Sequence, residues 1–287
     1  MTIFIVPSDD TPTINSAIDQ AESGDIIKIK EGTYSENVIV DKNFITIQAL
    51  DRASVTIRGF NQTGIGIDIK GVEGVIIQDL VITNYSIAIF LRGNKNRIID
   101  VSATSNAIYG CLLRGDNNII EDCLFRLNVI TGVNIAGSSN ICRNNICDEN
   151  VIGGFICSEG SAIRNLIENN TIFESEIAIG WLTINSTNNV FSKNLIANND
   201  FAIIIQNSGN EISRNIIKSH KLEGVDILGD DNKLLNNLVV DSNVGLTIVG
   251  NKTEVIGNVF LWNKSADIVN LGEGTIFNSN KIEKEIL

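Results

Sequence analysis

Residues 75–140 repeat one pattern three times: VIIQDLVITNYSIAIFLRGNKN (75–96), RIIDVSATSNAIYGCLLRGDNN (97–118) and IIEDCLFRLNVITGVNIAGSSN (119–140). Each copy holds 22 residues, as 96 − 75 + 1 gives for the first. Asn84, Asn106 and Asn128 take the tenth place; Ala88, Gly110 and Gly132 take the fourteenth. An apolar–x–apolar triplet follows, and then Gly93, Gly115 and Gly137. A fixed period of about 20–25 residues marks a solenoid, in which each repeat buries its apolar face only against its neighbours.

The pattern continues in both directions. Residues 55–74 read as a transition coil; two longer copies end at Asn165 and Asn189, and shorter ones follow to the C-terminal region. The fifth place of the later copies holds Asn145, Asn170, Asn194, Asn215, Asn237, Asn258 and Asn280. The tenth place continues through Asn150, Ser175, Asn199, His220 and Asn263. Asparagine tolerates the left-handed backbone that a tight bend needs, and its amide can bond the same residue one coil away. Both columns are therefore expected to be structural asparagine ladders, His220 included.

Before the repeats, Thr11–Gly24 reads as the one helix, with Thr11 as N-cap, Pro12 at the first position and Gly24 at the end. Ile14, Ala17, Ile18 and Ala21 form its apolar stripe. Short runs at Ile26–Lys30, Val38–Val40 and Phe44–Ile47, with a turn at Glu31-Gly32-Thr33, read as strands. An amphipathic helix placed there would cover the open end of the first coils. One domain over 1–287 is expected: 1–53 as N-terminal cap and first coils, 54–275 as repeat coils, and 276–287 as a last partial coil.

Composition agrees with strands and tight turns, because Val, Ile, Asn and Gly abound while the two prolines are confined to Pro7 and Pro12. A formal charge of −12 argues against nucleic acid and against an anionic membrane surface as partners. The start MTIFIVPSDD shows no secretory signal, and no apolar run is long enough to span a membrane. These features point to the cytoplasm, although a processed exported fragment would read the same way. Five cysteines lie between Cys111 and Cys157 and read as buried reduced thiols. Cys142 and Cys147 have no histidine near them, so neither a metal nor another cofactor is expected.

The phrases GI-x-L-x-G-x-NN and I-x-x-N-x-I/V-x-x-N resemble the coils of the pectin-lyase-like superfamily. The opening TINSAIDQAESGDIIKIKEGTYSENVIVDKNFITI (13–47) is similar to the cap and first coil of that group. The resemblance covers essentially the whole chain and implies an all-β fold: a single-stranded right-handed parallel β-helix of about 22-residue coils with an N-terminal amphipathic capping helix. It implies carbohydrate chemistry only as a class, since members include lyases, galacturonases, epimerases, accessory proteins and phage spikes. The members' catalytic phrases are not matched. Gly229-Asp230-Asp231-Asn232 sits in the turn slot of Gly115-Asp116-Asn117-Asn118, no Asp-Pro-His phrase occurs, and no carboxylate cluster with an arginine motif carries over.

Alternation places one column of side chains outward on the strand after the fourteenth place: Asp68, Phe90, Leu112, Asn134, Ile156, Gly180 or Trp181, Ile204, Asp226, Thr247 and Ile268. A second outward column reads Lys70, Arg92, Arg114, Ala136, Ser158, Gln206 and Leu228. The resemblance implies that this face carries the groove of the sugar-cleaving members. The candidate site is therefore Glu159 and Arg114 as catalytic residues, with Arg92, Asn134, Ser158 and Trp181 binding substrate. Glu159 is the acid or base, the arginines hold a carboxylate or phosphate, and Trp181 stacks on a sugar. The expected partner is an acidic carbohydrate or another small anion. The alternative is a non-catalytic scaffold or binding module that forms homo-oligomers through the apolar strand face.

Overall fold

In the computed structural model, which describes residues 1–52, 54–183 and 185–283, the chain winds through three parallel sheets in turn. The first has 13 strands, from Ile3–Val6 to Ile276–Asn278; the second has 12, from Gly32–Tyr34 to Lys281–Glu283; the third has 11, from Val38–Val40 to Ala266–Asn270. Successive coils stack residue on residue: Arg97 lies beside Ile119 and Ile119 beside Ile141, a step of 22 in each case. The period read from the sequence is thus the length of one turn of the solenoid.

Inward columns fill the lumen. On the first sheet Ile77, Ile98, Ile120, Cys142, Ile167 and Phe191 lie in register, all fully buried. Burying one such aliphatic or aromatic side chain contributes about 1.5–3 kcal/mol, so the stack is held by many equal increments. All five cysteines are free and buried within this interior. The fourteenth-place residues turn toward the lumen at the start of the third-sheet strands. A Cβ on Gly110 would lie 2.6 Å from the Gly132 carbonyl oxygen and 2.7 Å from the Phe125 ring, so no side chain fits there without a shift.

Asparagines organise the corners. Between the first and second sheets, the backbone N–H groups of Asn145, Asn170, Asn194, Asn215, Asn237 and Asn258 each donate to the Oδ1 of the next coil's asparagine at 2.8–2.9 Å. The side-chain amide is used as well: Asn194 Nδ2 donates to Ile167 O at 2.9 Å and to Asn215 Oδ1 at 3.0 Å. A third column, Asn96, Asn118, Asn140, Asn165, Asn189 and Asn210, does the same between the third and first sheets. The left-handed residue of each bend is not the stacked asparagine but the residue before it. Asn144, Asn169, Lys193, Arg214 and Asn236 have φ of 54–58°, and even Leu127 and Trp262 take this conformation.

Several expectations shift by a residue or more. Asn84 is itself a left-handed residue, and Tyr85 fills the stacked slot, its N–H bonding Asn106 Oδ1 at 3.1 Å. The helix spans Ile14–Gln20 with Thr13 as N-cap, because Thr13 and Ser16 cap one another reciprocally while Thr11 bonds Ile5 O. Glu36 accepts from the Ile14 and Asn15 N–H groups, two donors that a helix start leaves unpaired. Ile14, Ala17 and Ile18 pack on Ile3–Val6, Ile26–Ile29 and Val38–Val40. Gly32–Tyr34 is the first strand of the second sheet rather than a turn. Phe44 bends at φ 57° and is exposed, so its strand is Thr46–Ala49.

His220 continues the column Asn128, Asn150, Ser175, Asn199 at the corner between the second and third sheets. Its Nδ1 accepts from the Asn199 N–H at 3.3 Å and its Nε2 faces Ile196 O at 3.3 Å. This is the pattern of the neutral ring protonated on Nε2. Burial pushes its pKa down from 6.5 to about 4.

Two measurements check this account. Asn194→Ala strips buried partners from Asn170 and Ile167 and should cost about 2–4 kcal/mol in urea unfolding, since each unpaired buried polar group costs about 1–3 kcal/mol; exposed Gln206→Ala should cost little. For His220 the unfolded ring takes up a proton near pH 6.5 and the folded ring only near 4, so stability rises with pH across that window. Relative to His220→Asn, the wild-type chain should lose about 2 kcal/mol more between pH 7.5 and 5; parallel losses would contradict the assignment.

Candidate functional site

The five-residue strands of the third sheet present two outward residues each, and a third follows at the strand end. The register fixes the middle column as Asp68, Phe90, Leu112, Asn134, Ile156, Gly180, Ile204, Asp226, Thr247 and Val269. Val269 therefore replaces Ile268, which pairs with inward Leu246. Gly180 settles the ambiguous coil. Trp181 points into the lumen, fully buried, its ring 4.9 Å from that of Phe191 in an edge-on arrangement. It pairs in register with Cys157, an inward position, so a sugar on the outer face cannot reach it and its expected stacking role is withdrawn.

The other candidates gather in the N-terminal half of this face. Arg92 and Arg114 follow adjacent strands, and their guanidinium carbons stand 4.6 and 5.4 Å from the centroid of the Phe90 ring. Two like charges one coil apart need counter-ions, and each has one. Arg92 Nη2 donates to both oxygens of Asp68 at 2.5 and 2.6 Å, from a carboxylate only 12% exposed. Arg114 Nη2 donates to both oxygens of Glu159 at 2.9 and 2.7 Å, with the side chains 46% and 39% exposed. Glu159 lies in the loop of a longer coil, two coils beyond Arg114.

Asn134 and Ser158 sit between these groups. Asn134 Nδ2 donates to Ser158 Oγ at 2.8 Å, while its Oδ1, enclosed by protein, has no hydrogen-bond partner. Around them the face is apolar: Leu112 is 4% and Ile156 3% exposed despite pointing outward. Both Glu159 oxygens are thus engaged by one nitrogen of Arg114.

A second acidic group lies in the C-terminal half of the same face. Glu223 and Asp226 both project outward from one strand, because Gly224 takes the inward corner slot between them. Thr247 Oγ1 donates to Glu223 Oε1 at 3.1 Å, and Asp226 Oδ1 has no partner. Burial, and then the neighbouring Glu223, raise the Asp226 pKa to about 6. Sequence reasoning placed Asp226 in the outward column but missed Glu223, although the Glu-Gly-x-Asp spacing around a small corner residue carried the signal.

Metal donors are placed unfavourably. Among the described residues, Asp148, Glu149 and Glu174 are the one carboxylate, thiol or imidazole group with ligand atoms mutually within 4.8 Å. Arg126 already bonds two of its three carboxylates, Asp148 at 3.0 Å and Glu149. Burial raises the thiol pKa values of Cys111, Cys123, Cys142, Cys147 and Cys157. His220 has both nitrogens against the backbone, and Met1 is the sole methionine.

Solved structures similar to this chain carry the same fold. The GH136 lacto-N-biosidase from Eubacterium ramulus superposes with a TM-score of 0.71 at 11% identity, covering 99% of this chain and 68% of its own. The A-module of the Azotobacter vinelandii mannuronan C-5 epimerase AlgE6 gives 0.70 at 14%, covering 96% and 91%. The hyperthermoactive exopolygalacturonase from Thermotoga maritima gives 0.69 at 11%, covering 89% and 84%. At such identities the likeness is one of fold, and it bears out the resemblance to pectin-lyase-like proteins. No protein of curated function matches the chain in sequence.

One family does match, described as "Periplasmic copper-binding protein (NosD)", over residues 35–220 and 158–287. The periplasmic description overturns the cytoplasmic expectation, which rested on the lack of a visible leader in MTIFIVPSDD; no helix among the described residues is long and apolar enough to cross a membrane. With two overlapping matches running from residue 35 to residue 287, the chain belongs to the NosD family.

Proposed function

We propose that this protein binds an acidic carbohydrate on the outer face of its third sheet, at Phe90, Arg92, Arg114, Asn134, Ser158 and Glu159. The observation that carries this reading is the pair of guanidinium groups from successive coils held over one aromatic ring on an otherwise apolar strand face. Arginine offers a carboxylate a planar, charge-assisted fork. The unpartnered Oδ1 of Asn134 can accept a hydroxyl, and the apolar floor suits the C–H face of a sugar ring. The carbohydrate-active β-helix enzymes that share the fold give this reading its class of ligand. If the chain is also catalytic, Glu159 is the acid–base group and Arg114 its partner. The helix Ile14–Gln20 serves in the same reading as a cover for the first coil.

Copper, which the family description names, does not fit the residues present. Soft copper sites are built from thiolate, thioether and imidazole donors that converge. Here the thiols are core residues, the single imidazole is occupied on both sides, and no such set converges among the described residues.

Self-association is a second reading, favoured by a different part of the face. Leu228, Val249 and Leu271 form a row of exposed apolar side chains past the C-terminal coils, a surface that a second copy would cover. Light scattering resolves it: a stable dimer that dissociates in Val249→Lys supports the reading, and a monomer removes it.

The ligand reading is tested with Arg114→Ala. Loss of one charge-assisted contact, worth about 1.5–3 kcal/mol, should weaken binding of a galacturonate oligomer at least about ten-fold. Neutral galactose oligomers should be unaffected. Equal binding of the acidic oligomer by variant and wild type would remove Arg114 from the site.

A further inference from the structure

We infer that Glu159 is a built-in competitor for the anion subsite on Arg114: a tethered carboxylate that holds the guanidinium until a ligand carboxylate displaces it. This rests on the ligand reading above and adds how the site selects what it takes.

The two arginines differ in how their charge is met. Asp68 stands on a strand of the sheet, one coil before Arg92, and is nearly buried; it is a fixed counter-ion. The strand positions that flank Leu112 in the middle column are Phe90 and Asn134, so no strand-borne carboxylate faces Arg114. Its counter-ion comes instead from the loop after Gly153–Cys157, reaching back past the intervening coil of Ala136.

The loop is shaped for that reach. Gly160 has φ +69°, a conformation that other residues rarely adopt, and a Cβ there would lie 3.2 Å from that of Ala136. The loop thus leans on the coil that separates Glu159 from Arg114. Its root is fixed, since Cys157 Sγ lies 3.0 Å from Thr183 Oγ1. Its tip is held by the ion pair and, one residue earlier, by the Asn134–Ser158 hydrogen bond, and both ion-pair partners are substantially open to water. A uronate carboxylate presents the same two oxygens as Glu159, so exchange is like for like and needs no rearrangement of the strands. A neutral sugar offers Arg114 hydroxyl acceptors but no charge, so it does not replace the carboxylate and leaves the latch shut.

The test is calorimetric titration of a galacturonate trimer into wild type, Glu159→Gln and Arg114→Ala at low ionic strength. An exposed ion pair is weak, so freeing Arg114 should tighten binding by about two- to five-fold in Glu159→Gln, while Arg114→Ala binds poorly. If Glu159→Gln binds no tighter than wild type although Arg114→Ala has lost binding, Glu159 is not a competitor and only the ligand reading survives. If neither wild type nor Glu159→Gln binds the trimer, both fall, because an unlatched Arg114 that holds no carboxylate is no anion subsite.

Discussion

Everything in this molecule depends on a hydrogen bond that runs along the solenoid axis at its corners: a backbone N–H of one coil to the side-chain oxygen of an asparagine in the next. A bend between strands strips backbone groups of their sheet partners, and buried groups left unpaired are costly. The asparagine side chain answers both needs at once, its oxygen accepting from one neighbouring coil and its amide bonding a carbonyl of the strand behind. Coils spaced at about 4.8 Å place like residues within reach of one another, so the device repeats as often as the coil does. Three such columns fix where each coil turns, and so fix which strand residues point outward.

That outward set carries the proposed site, and its charge is unevenly distributed. Over most of its length the third sheet's face is apolar. Charge is confined to two places, each solved differently. In the N-terminal half Arg92 and Arg114 each have a carboxylate, one rigid and one on a loop. In the C-terminal half Glu223 and Asp226 share a strand, and burial holds Asp226 toward its neutral form. The face therefore runs from an arginine-rich end to a carboxyl end along a single straight track, an arrangement suited to an extended ligand rather than a compact one.

Much of this was legible in the amino-acid order because a solenoid converts sequence period directly into spatial neighbours. The 22-residue step, the small corner residues such as Gly110 and the outward positions of Arg92 and Arg114 follow from counting alone. What escaped counting was set by distances that the period does not encode. Trp181 changed sides because the longer coils broke the count by one residue, and only the pairing with Cys157 restores it. Asn84 looked like a member of its column but is the left-handed residue before it. The Arg114–Glu159 pair joins residues 45 apart, which no repeat of 22 predicts, since it depends on a loop leaning back across a coil. The cytoplasmic expectation rested on an absence, and the family description, periplasmic, runs against it.

The most direct measurement is the crystal structure of the chain grown with a galacturonate trimer. A sugar carboxylate on Arg114, with Glu159 swung away and the ring lying over the Phe90–Leu112 stretch of the third sheet, is the predicted result. A trimer bound to another sheet, or none bound while Glu159 still holds Arg114, would contradict the account.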